Sequence, residues 1–437
     1  MKDGFDTMDE NNSSKEKNTR FLDNSSDFPE RIYILQPITE SNEHTYESLI
    51  EEAKALIESA GAAVAGVSTQ KLREISPATV FGMGKLAEIA EILSGLDVTV
   101  LYNGDLTPSQ TRNISAALGD RKVIERTTLI LDIFARNAVT AEGKLQVELA
   151  QLKYVYPRLK GKGTSLSRQG GGVGTRGPGE TRLETDRRYI RNRIDYLEKR
   201  LSELESRRKL QTQRRKKTQV KTIALVGYTN AGKSTLFNRL CDENVYAQDR
   251  LFATLDATSR RFCVRGIEFF LVDTVGFLRD LPHDLIEAFK STLESALNCD
   301  LALLVCDAAS EFQMQIDTTT SVLKSMNFSS PYLVVANKCD RLSRAEFDAL
   351  NGEYVGISAK TGDGIDVLKE KIYDFFADKY ANVRLRVPYT QIKAYSAKKK
   401  LLSEEKIAYR DDCMEVFCTV EKTYLDEFCS WISAKEE

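Results

Sequence analysis

The sequence predicts an α/β protein of several domains, in which the central domain has a mostly parallel sheet with helices on both faces. Four apolar runs in the second half of the chain predict buried strands, and a polar or glycine-containing segment follows each run directly. The 437 residues are 42% hydrophobic, which is enough for about three domains with packed cores. A small α/β domain and a helical hairpin are predicted before the central domain, and a small α+β domain is predicted after it.

The first of these segments is a glycine loop between a predicted strand and a predicted helix. It fits the pattern G-x-x-x-x-G-K-[ST], and we name it the phosphate loop because its backbone amides and the helix N-terminus suit phosphate groups. We expect Lys233 to contact the β- and γ-phosphates and Ser234 to bind Mg²⁺. The residues of the phosphate loop are Gly227, Tyr228, Thr229, Asn230, Ala231, Gly232, Lys233 and Ser234.

The second segment follows the apolar run at residues 269–272. Its first residue, Asp273, is placed to hold Mg²⁺ directly or through water, and the amide of Gly276 is placed to contact the γ-phosphate. Thr274 and Val275 lie between them and are expected to line the nucleotide. An aspartate at a strand end is otherwise commonly a turn or a helix cap, but the phosphate loop upstream favours the metal role.

The third and fourth segments predict which base is bound. They are Asn337, Lys338, Cys339 and Asp340, and then Ser358, Ala359 and Lys360. The Asp340 carboxylate can accept hydrogen bonds from both N1–H and the 2-amino group of guanine, whereas adenine offers neither donor at that edge. A site that would leave a buried polar group unpaired rejects the wrong ligand strongly. The sequence therefore predicts GTP as the nucleotide, with Ser358 to Lys360 supporting the base contact.

A segment between the phosphate loop and Asp273 is expected to carry the switch threonine, whose contact with the γ-phosphate would order its loop. We predict Thr254 as the second Mg²⁺ ligand and as a catalytic residue, with Thr258 as the alternative. The residues expected to contact the nucleotide here are Phe252, Ala253, Thr254, Leu255 and Asp256.

Position 277 predicts the rate of hydrolysis. Phe277 stands directly after Gly276, where many regulatory GTPases have a glutamine that orients the attacking water. Because an apolar ring cannot orient water by hydrogen bonding, we predict slow hydrolysis by the chain alone and a partner that completes the catalytic geometry.

A further hypothesis concerns Asn230 in the phosphate loop, which could help to hold a K⁺ ion.

Composition shifts and local patterns divide the chain into five predicted segments. Residues 1–28 are rich in Asn, Ser, Asp and Lys and are predicted to be a disordered tail. The predicted domains are an N-terminal α/β domain at residues 29–125, a helical hairpin at 126–217, the nucleotide-binding domain at 218–380 and a C-terminal α+β domain at 381–437. We predict strands at residues 32–35 and 98–101 in the N-terminal domain, and the order β-α-β-α in the C-terminal domain.

Two helices with heptad spacing are predicted on either side of a glycine-rich, basic loop at residues 161–180. Their apolar stripes are Leu145, Leu149, Leu152, Tyr156 and Leu159 in the first helix and Leu183, Ile190, Ile194, Leu197, Leu201 and Leu204 in the second. Residues 153–221 are rich in Lys and Arg, which favours RNA as the partner of the loop. Two other interpretations stay open: a pair of solvated helices that link domains, and a dimerisation element.

The composition argues against several other classes of protein. No apolar run approaches the ~20 residues of a membrane span, and the polar N-terminus lacks the pattern of a signal peptide. Eight scattered cysteines without a C-x-x-C pair are typical of reduced thiols in the cytoplasm, where we expect a monomer. His44 and His283 are the only histidines, which argues against a metal cluster or a histidine-based triad.

These motifs together resemble those of the HflX family, ribosome-associated GTPases of the translation-factor-related class. The resemblance covers the chain from about Arg31 to the C-terminus. Its specific marks are G-G-G-V-G-T-R-G-P-G-E-T-R-L-E-x-D before the nucleotide-binding domain and the segments at residues 252–256 and 273–277. Arg182 departs from the glutamine that the family often has.

The resemblance implies a GTPase that binds the large (50S) ribosomal subunit, is stimulated there, and separates or rescues stalled ribosomes or serves translation or ribosome biogenesis. It also implies that the hairpin and its glycine loop reach ribosomal RNA. The nucleotide-binding roles of the family carry over to residues 227–234, 254, 273–276, 337–340 and 358–360. The alternative is a regulatory GTPase whose target is a protein or a membrane surface.

Overall fold

The computed structural model of the chain describes residues 29–159, 178–216, 220–241, 258–265, 267–279, 298–350 and 352–436. The described residues form two compact units, one up to residue 207 and the other from residue 208 onward. The predicted tail at residues 1–28, the segment at residues 252–256 and most of the glycine loop at residues 161–180 lie outside the described residues. The domain boundaries given above stay predictions.

The first unit contains a parallel sheet of four strands in the order β2-β1-β3-β4, named here the N-terminal sheet. Its strands are β1 (Arg31–Ile38), β2 (Ala63–Lys71), β3 (Thr99–Tyr102) and β4 (Val123–Glu125). Its helices are α1 (Tyr46–Ser59), α2 (Met83–Ile92), α3 (Pro108–Ala117) and α4 (Arg126–Asn137). The two predicted strands are β1 and β3. The edge strands β2 and β4 were missed, because one is only partly buried and the other has three residues.

Two further helices follow, α5 (Ala141–Arg158) and α6 (Pro178–Lys216). Leu149 and Leu152 of α5 pack with the fully buried Leu197 of α6, and Leu145, Ile190, Ile194 and Leu201 pack around them. An ion pair supports this contact, because Arg193 donates from Nε and Nη2 to the two carboxylate oxygens of Glu148 over 2.6 and 2.9 Å. The packing of two helices predicted from their heptad spacing is therefore confirmed.

The second unit contains a sheet of six strands in the order β10-β9-β8-β5-β7-β6, named here the central sheet. Its strands are β5 (Lys221–Gly227), β6 (Thr258–Val264), β7 (Ile267–Asp273), β8 (Leu301–Asp307), β9 (Tyr332–Asn337) and β10 (Val355–Gly356). Its helices are α7 (Lys233–Leu240), α8 (Phe312–Ser325), α9 (Arg344–Asp348) and α10 (Ile365–Ala377). All neighbouring pairs are parallel except β6 and β7. The mostly parallel sheet predicted for the nucleotide-binding domain is confirmed.

The same unit ends in an antiparallel sheet of four strands in the order β12-β13-β11-β14, named here the C-terminal sheet. Its elements are β11 (Tyr380–Pro388), α11 (Ile392–Lys398), β12 (Leu402–Tyr409), β13 (Cys413–Glu421), α12 (Leu425–Phe428) and β14 (Ile432–Glu436). The order is β-α-β-β-α-β, so the predicted order β-α-β-α was wrong. Strands β12 and β14 were missed because they are edge strands whose sequences, LSEEKIAY and ISAKE, carry many charged residues.

Within the described part of the chain, none of the helices combines the length and the apolar character needed to cross a membrane.

Candidate nucleotide site

The phosphate loop begins where β5 ends, at the point of the central sheet where the order of the strands reverses. From β5 the chain first builds β6 and β7 on one side of the sheet, and it then builds β8, β9 and β10 on the other side. Ligands of such sheets bind at the carboxyl ends of the strands at this reversal. The sheet topology therefore places the predicted loop at the expected ligand position.

Two glycines allow the phosphate loop to pass close to its neighbours. A Cβ on Gly227 would lie 2.1 Å from the carbonyl oxygen of Val305 in β8. Gly232 has a φ of +92°, in the left-handed region, and a Cβ there would lie 2.2 Å from Nδ2 of Asn337. Helix α7 begins directly afterwards at Lys233, so its first amides, which a helix cannot pair internally, adjoin the loop.

Lys233 is buried beneath the phosphate loop. Its Nζ donates to the carbonyl oxygens of Gly227, over 3.2 Å, and of Tyr228, over 2.8 Å. Burial lowers the pKa of Lys233 to about 8, and the charge of Asp273 opposes this shift. An ammonium group in this position gains from an anionic ligand, since phosphate charge offsets the cost of its burial.

Ser234 and Asp273 come together from two separate segments. Ser234, in the first turn of α7, donates its hydroxyl proton to Oδ2 of Asp273 over 2.8 Å, and Asp273 is the buried last residue of β7. Hydroxyl and carboxylate oxygens are the hard ligands that Mg²⁺ prefers, and beside a nucleotide the ion needs only one or two protein ligands. The donor set at this point therefore fits Mg²⁺.

The backbone of Gly276 lies against the phosphate loop and Lys233. A Cβ on Gly276 would lie 2.7 Å from Cγ2 of Thr229 and 2.8 Å from Nζ of Lys233. The segment is fixed by Thr274, whose hydroxyl donates to the carbonyl oxygen of Leu225 over 2.7 Å, and by the buried Val275. The chain thus brings Gly276 next to the ammonium group that is predicted to bind the γ-phosphate.

Phe277 is buried, and its backbone pairs with the phosphate loop. Its carbonyl oxygen accepts from the amide of Thr229 over 2.8 Å, and its amide donates to the carbonyl oxygen of Gly227 over 3.0 Å. The hydroxyl oxygen of Tyr228 accepts from the amide of Arg279 over 3.2 Å. These bonds couple the second segment to the phosphate loop, while the Phe277 ring has no group that can hydrogen-bond to water.

Asn337 joins the phosphate loop to both base segments. This buried residue ends β9, and its Nδ2 donates to the carbonyl oxygen of Ala231 over 2.7 Å. Its Oδ1 accepts from the amide of Ala359 over 2.9 Å. One side chain therefore links three segments of the chain, namely the phosphate loop, the end of β9 and the segment that contains Ala359.

Asp340 is exposed and is oriented by Ser358, whose hydroxyl donates to its Oδ1 over 2.6 Å. This hydrogen bond holds the pKa of Asp340 below its usual range, so that the group is an ionised acceptor at neutral pH. Lys338 pairs with Asp307 over 2.8 Å, and Cys339 donates from Sγ to the carbonyl oxygen of Ala336 over 3.1 Å. These two side-chain contacts fix the backbone between the end of β9 and Asp340.

Two residues of this region were missed by the sequence analysis. Arg239 of α7 donates to the carbonyl oxygens of Ala359, over 3.2 Å, and Lys360, over 2.6 Å. Asp307 ends β8 in the way that Asp273 ends β7, and this parallel was a usable signal. The contact of Arg239 has no sequence signal, because its partners lie about 120 positions along the chain.

Three further expectations have different outcomes. The switch segment with Thr254 lies outside the described residues. The alternative, Thr258, is the first residue of β6 and stands opposite Asp273 in the ladder. Asn230 is exposed at the tip of the phosphate loop with a φ of +58°, and its role in holding K⁺ stays a prediction.

Three family models match successive parts of the chain. Residues 47–135 match the GTP-binding GTPase N-terminal region, and residues 137–215 match the GTP-binding GTPase middle region. Residues 222–338, which contain the phosphate loop, Asp273 and Asn337, match the 50S ribosome-binding GTPase.

Two individual proteins and one solved structure illustrate what the chain is similar to. The chain is 48% identical over 354 residues to GTPase HflX of Caldanaerobacter subterraneus, covering 80% of this chain and 82% of that protein. It is 46% identical over 348 residues to GTPase HflX of Escherichia coli, covering 78% and 82%. A solved GTP-binding protein from Sulfolobus solfataricus in complex with GDP is 24% identical, with a TM-score of 0.43 over 80% of this chain and 99% of that chain. From the identity to the first two proteins, the chain belongs to the HflX family of GTPases.

Proposed function

We propose that the chain is a Mg²⁺-dependent GTP hydrolase that acts as a conformational switch on the large ribosomal subunit. The observation that supports this most is the convergence of Lys233, Ser234, Asp273 and Gly276 at the carboxyl edge of the central sheet. Asp340 and Ser358 at the same edge supply the acceptor for guanine.

Each residue of the site has a definite task in this proposal. Lys233 neutralises the phosphates, and the Gly276 backbone contacts the terminal one, so that nucleotide state is transmitted to the segment that follows Gly276. Ser234 and Thr254 would hold Mg²⁺, with Asp273 orienting Ser234 through their hydrogen bond. The ion would neutralise charge that develops on the phosphates.

Hydrolysis by the chain alone is slow in this proposal. Phe277 is buried and apolar and directly follows Gly276, which is proposed to contact the terminal phosphate, so the residue at this position cannot orient the attacking water. The large ribosomal subunit would complete the arrangement, with the basic helical hairpin and its glycine loop reaching ribosomal RNA. The matched description as a 50S ribosome-binding GTPase supports this partner. In this proposal the chain acts in the cytoplasm as a monomer. Its cellular role is the splitting or the rescue of ribosomes.

The test is GTP hydrolysis measured with and without purified large subunits, with ATP in parallel and with Mg²⁺ removed by a chelator. We expect slow turnover of GTP alone, stimulation by large subunits, loss of turnover without Mg²⁺ and no turnover of ATP. Unstimulated turnover fast enough to match typical enzymes, around ten per second, would contradict the role assigned to Phe277.

A second experiment separates the ribosomal target from a protein or a membrane surface. Co-sedimentation with large subunits should weaken steeply as salt rises, because Lys and Arg contacts to phosphates release counterions. Deletion of residues 161–180 should reduce this association. Undiminished binding would move the contact away from the loop, and a mass near twice the monomer would favour the hairpin as a dimerisation element.

A further inference from the structure

Helices α11 and α12 pack against one face of the C-terminal sheet. Alternate residues of β11 and β13 pack into a core with Tyr395 of α11 and Phe428 of α12. The strand residues of this core are Val383, Leu385, Val387, Met414, Val416, Cys418 and Val420. Because successive side chains of a strand point to opposite faces, the residues between them lie on the other side. We name that side the open sheet face, defined by Arg384, Arg386, Lys406, Glu415 and Phe417.

Phe417 lies at the centre of the open sheet face. It stands opposite Arg384 of β11 on one side and opposite Lys406 of β12 on the other. The guanidinium carbon of Arg384 lies 5.0 Å from the centre of the Phe417 ring. Phe417 is partly exposed although the residues on either side of it in β13 are buried. An aromatic surface is thus accessible from solvent in the middle of the sheet.

Beside Phe417, three arginines lie around one carboxylate. Glu415 accepts from Arg384 over 2.8 Å and from Arg410 over 3.1 Å, and Arg386 lies 3.8 Å from it. The hydrogen bond from Arg384 is the main cause that holds the pKa of Glu415 below its usual range. Arg386, Lys406 and Arg410 are exposed. Asp412 also lies 3.8 Å from Arg386, so the residues of the open sheet face together with Arg410 and Asp412 carry four positive charges and two negative charges.

This combination has a specific chemical complement. A partly exposed aromatic ring offers a stacking surface for a nucleobase, and cations next to it suit a phosphate backbone. A duplex has its bases stacked and inaccessible, whereas a single strand can place a base on the ring. The order of strands and helices alone does not indicate which ligand the C-terminal sheet binds, because one fold serves many functions. The side chains of the open sheet face are what indicates a ligand.

We infer that the open sheet face binds single-stranded RNA, with a base stacked on Phe417 and backbone phosphates on Arg386 and Lys406. This goes beyond the function proposed above, because neither the nucleotide site nor the helical hairpin uses the C-terminal sheet. A protein partner is the competing occupant, and the experiment below distinguishes the two.

The test measures binding of a fluorescently labelled oligouridine RNA to the full chain. Phe417→Ala should weaken binding by about 5-fold to 150-fold, the range expected for loss of one stacked base. Phe417→Tyr should retain most of the affinity. The double variant Arg386→Gln, Lys406→Gln should reduce the slope of log affinity against log salt by about 1.4, since each phosphate contact in a single strand contributes about 0.7.

Two matched controls lie in the same domain but off the open sheet face. Tyr409→Ala removes an aromatic side chain that is 72% exposed and belongs to the opposite alternation of β12, and Lys393→Gln removes an exposed cation of α11. Both should bind RNA like the parent chain. Thermal unfolding of every variant checks that the domain is folded.

The helical hairpin is a second basic region, so the site of contact is mapped directly. RNA that contains 4-thiouridine should crosslink to the peptide with Phe417, and this crosslink should disappear in Phe417→Ala. Unchanged RNA affinity in both Phe417→Ala and the double variant would overturn the inference. Unchanged RNA affinity together with lost co-sedimentation on large subunits would assign the open sheet face to a protein and would equally overturn it.

Discussion

The central sheet and the N-terminal sheet both place polar side chains at the carboxyl ends of parallel strands, but they use these side chains differently. In the central sheet, the polar groups surround a glycine loop and the N-terminus of α7, and Asp340 remains exposed. In the N-terminal sheet, the polar groups at the strand ends bond mainly to one another. The same kind of edge is therefore a ligand site in our proposal for the central sheet, and it holds a side-chain network in the N-terminal sheet.

The network of the N-terminal sheet is continuous and buried. Asn103, after β3, donates to Oε1 of Gln36 in β1 over 2.6 Å and accepts from Nη1 of Arg126 over 3.2 Å. Arg126 also pairs with Glu52 of α1 over 2.7 Å. The hydrogen bonds and the ion pair between these side chains offset much of the cost of burying them.

Glu125, at the end of β4, connects the same sheet to α5. It accepts from the hydroxyl of Tyr154 over 2.7 Å and from the amide of Leu106 over 3.0 Å. Burial is the main cause that raises the pKa of Tyr154, so its hydroxyl remains a donor at all physiological pH values. Sheet topology thus marks an edge where a ligand can bind, and the side chains at that edge decide whether a ligand binds there.

The largest expected effect concerns the exposed carboxylate of the central sheet. Asp340→Ala should reduce the preference for GTP over ATP by ~1,000-fold or more, because the acceptor for two guanine donors is removed. Calorimetric affinities for both nucleotides measure this preference. Asp348→Ala, an exposed aspartate of the neighbouring α9, is the matched control and should keep the preference. A preference that survives in Asp340→Ala would break the assignment of this edge as a guanine site.

The next largest effect concerns the close approach at Gly276. Gly276→Ala should lower the rate of GTP hydrolysis by ~100-fold, because its Cβ would collide with Thr229 and with Nζ of Lys233. Single-turnover hydrolysis on large subunits measures the rate, and GDP affinity shows whether binding is retained. Gly84→Ala is the control, since a Cβ there meets no atom within 4 Å. Equal rates for the two variants would show that this approach does not matter.

The network of the N-terminal sheet should respond in stability alone. Arg126→Met removes the cation that pairs with the largely buried Glu52, and we expect the free energy of unfolding to fall by about 3 kcal/mol. Urea unfolding of the full chain, followed by probes in each compact unit, measures this. Lys54→Met breaks the exposed pair with Glu51 and should cost less than about 1 kcal/mol. A change of GTP affinity in Arg126→Met without loss of stability would contradict the structural role.

The smallest effect is a proton taken up by Lys233 when nucleotide binds. Without ligand its pKa is about 8, so the amine is partly neutral above pH 8, and phosphate charge should raise this pKa. The bound state then holds more protons above about pH 8, so affinity falls as pH rises beyond that value. Calorimetry of GDP binding at about pH 8.5, in two buffers of different ionisation enthalpy, measures the uptake.

Lys324→Met, an exposed lysine of α8, is the control for this measurement and should leave the proton uptake unchanged. Equal heats in the two buffers for the parent chain would show that Lys233 is already fully protonated before the nucleotide binds.

Local chemistry in the sequence was sufficient for the family and for the choice of GTP. The phosphate loop, Asp273 and Asp340 each lie within a few positions of an apolar run, so strand, loop and functional group are encoded together. Strands inside a sheet, such as β5, are continuous apolar runs because both of their faces are buried. The central sheet was therefore predictable.

Edge strands and long-range contacts were not predictable in this way. Strands β2, β12 and β14 carry polar residues because they lie at the edges of their sheets, and their alternation is weak. No local pattern indicates that Arg239 bonds to the carbonyl oxygens of Ala359 and Lys360.

The sequence by itself determined the nucleotide, because each recognition segment carries its chemistry within a few consecutive residues. Only the tertiary structure decided that Asn337 joins the phosphate loop to Ala359, that Phe277 pairs with that loop, and that Phe417 lies among cations on an open face. The physical reason is that strand order and register bring together residues far apart along the chain, and neither property is written in the local alternation of apolar and polar residues.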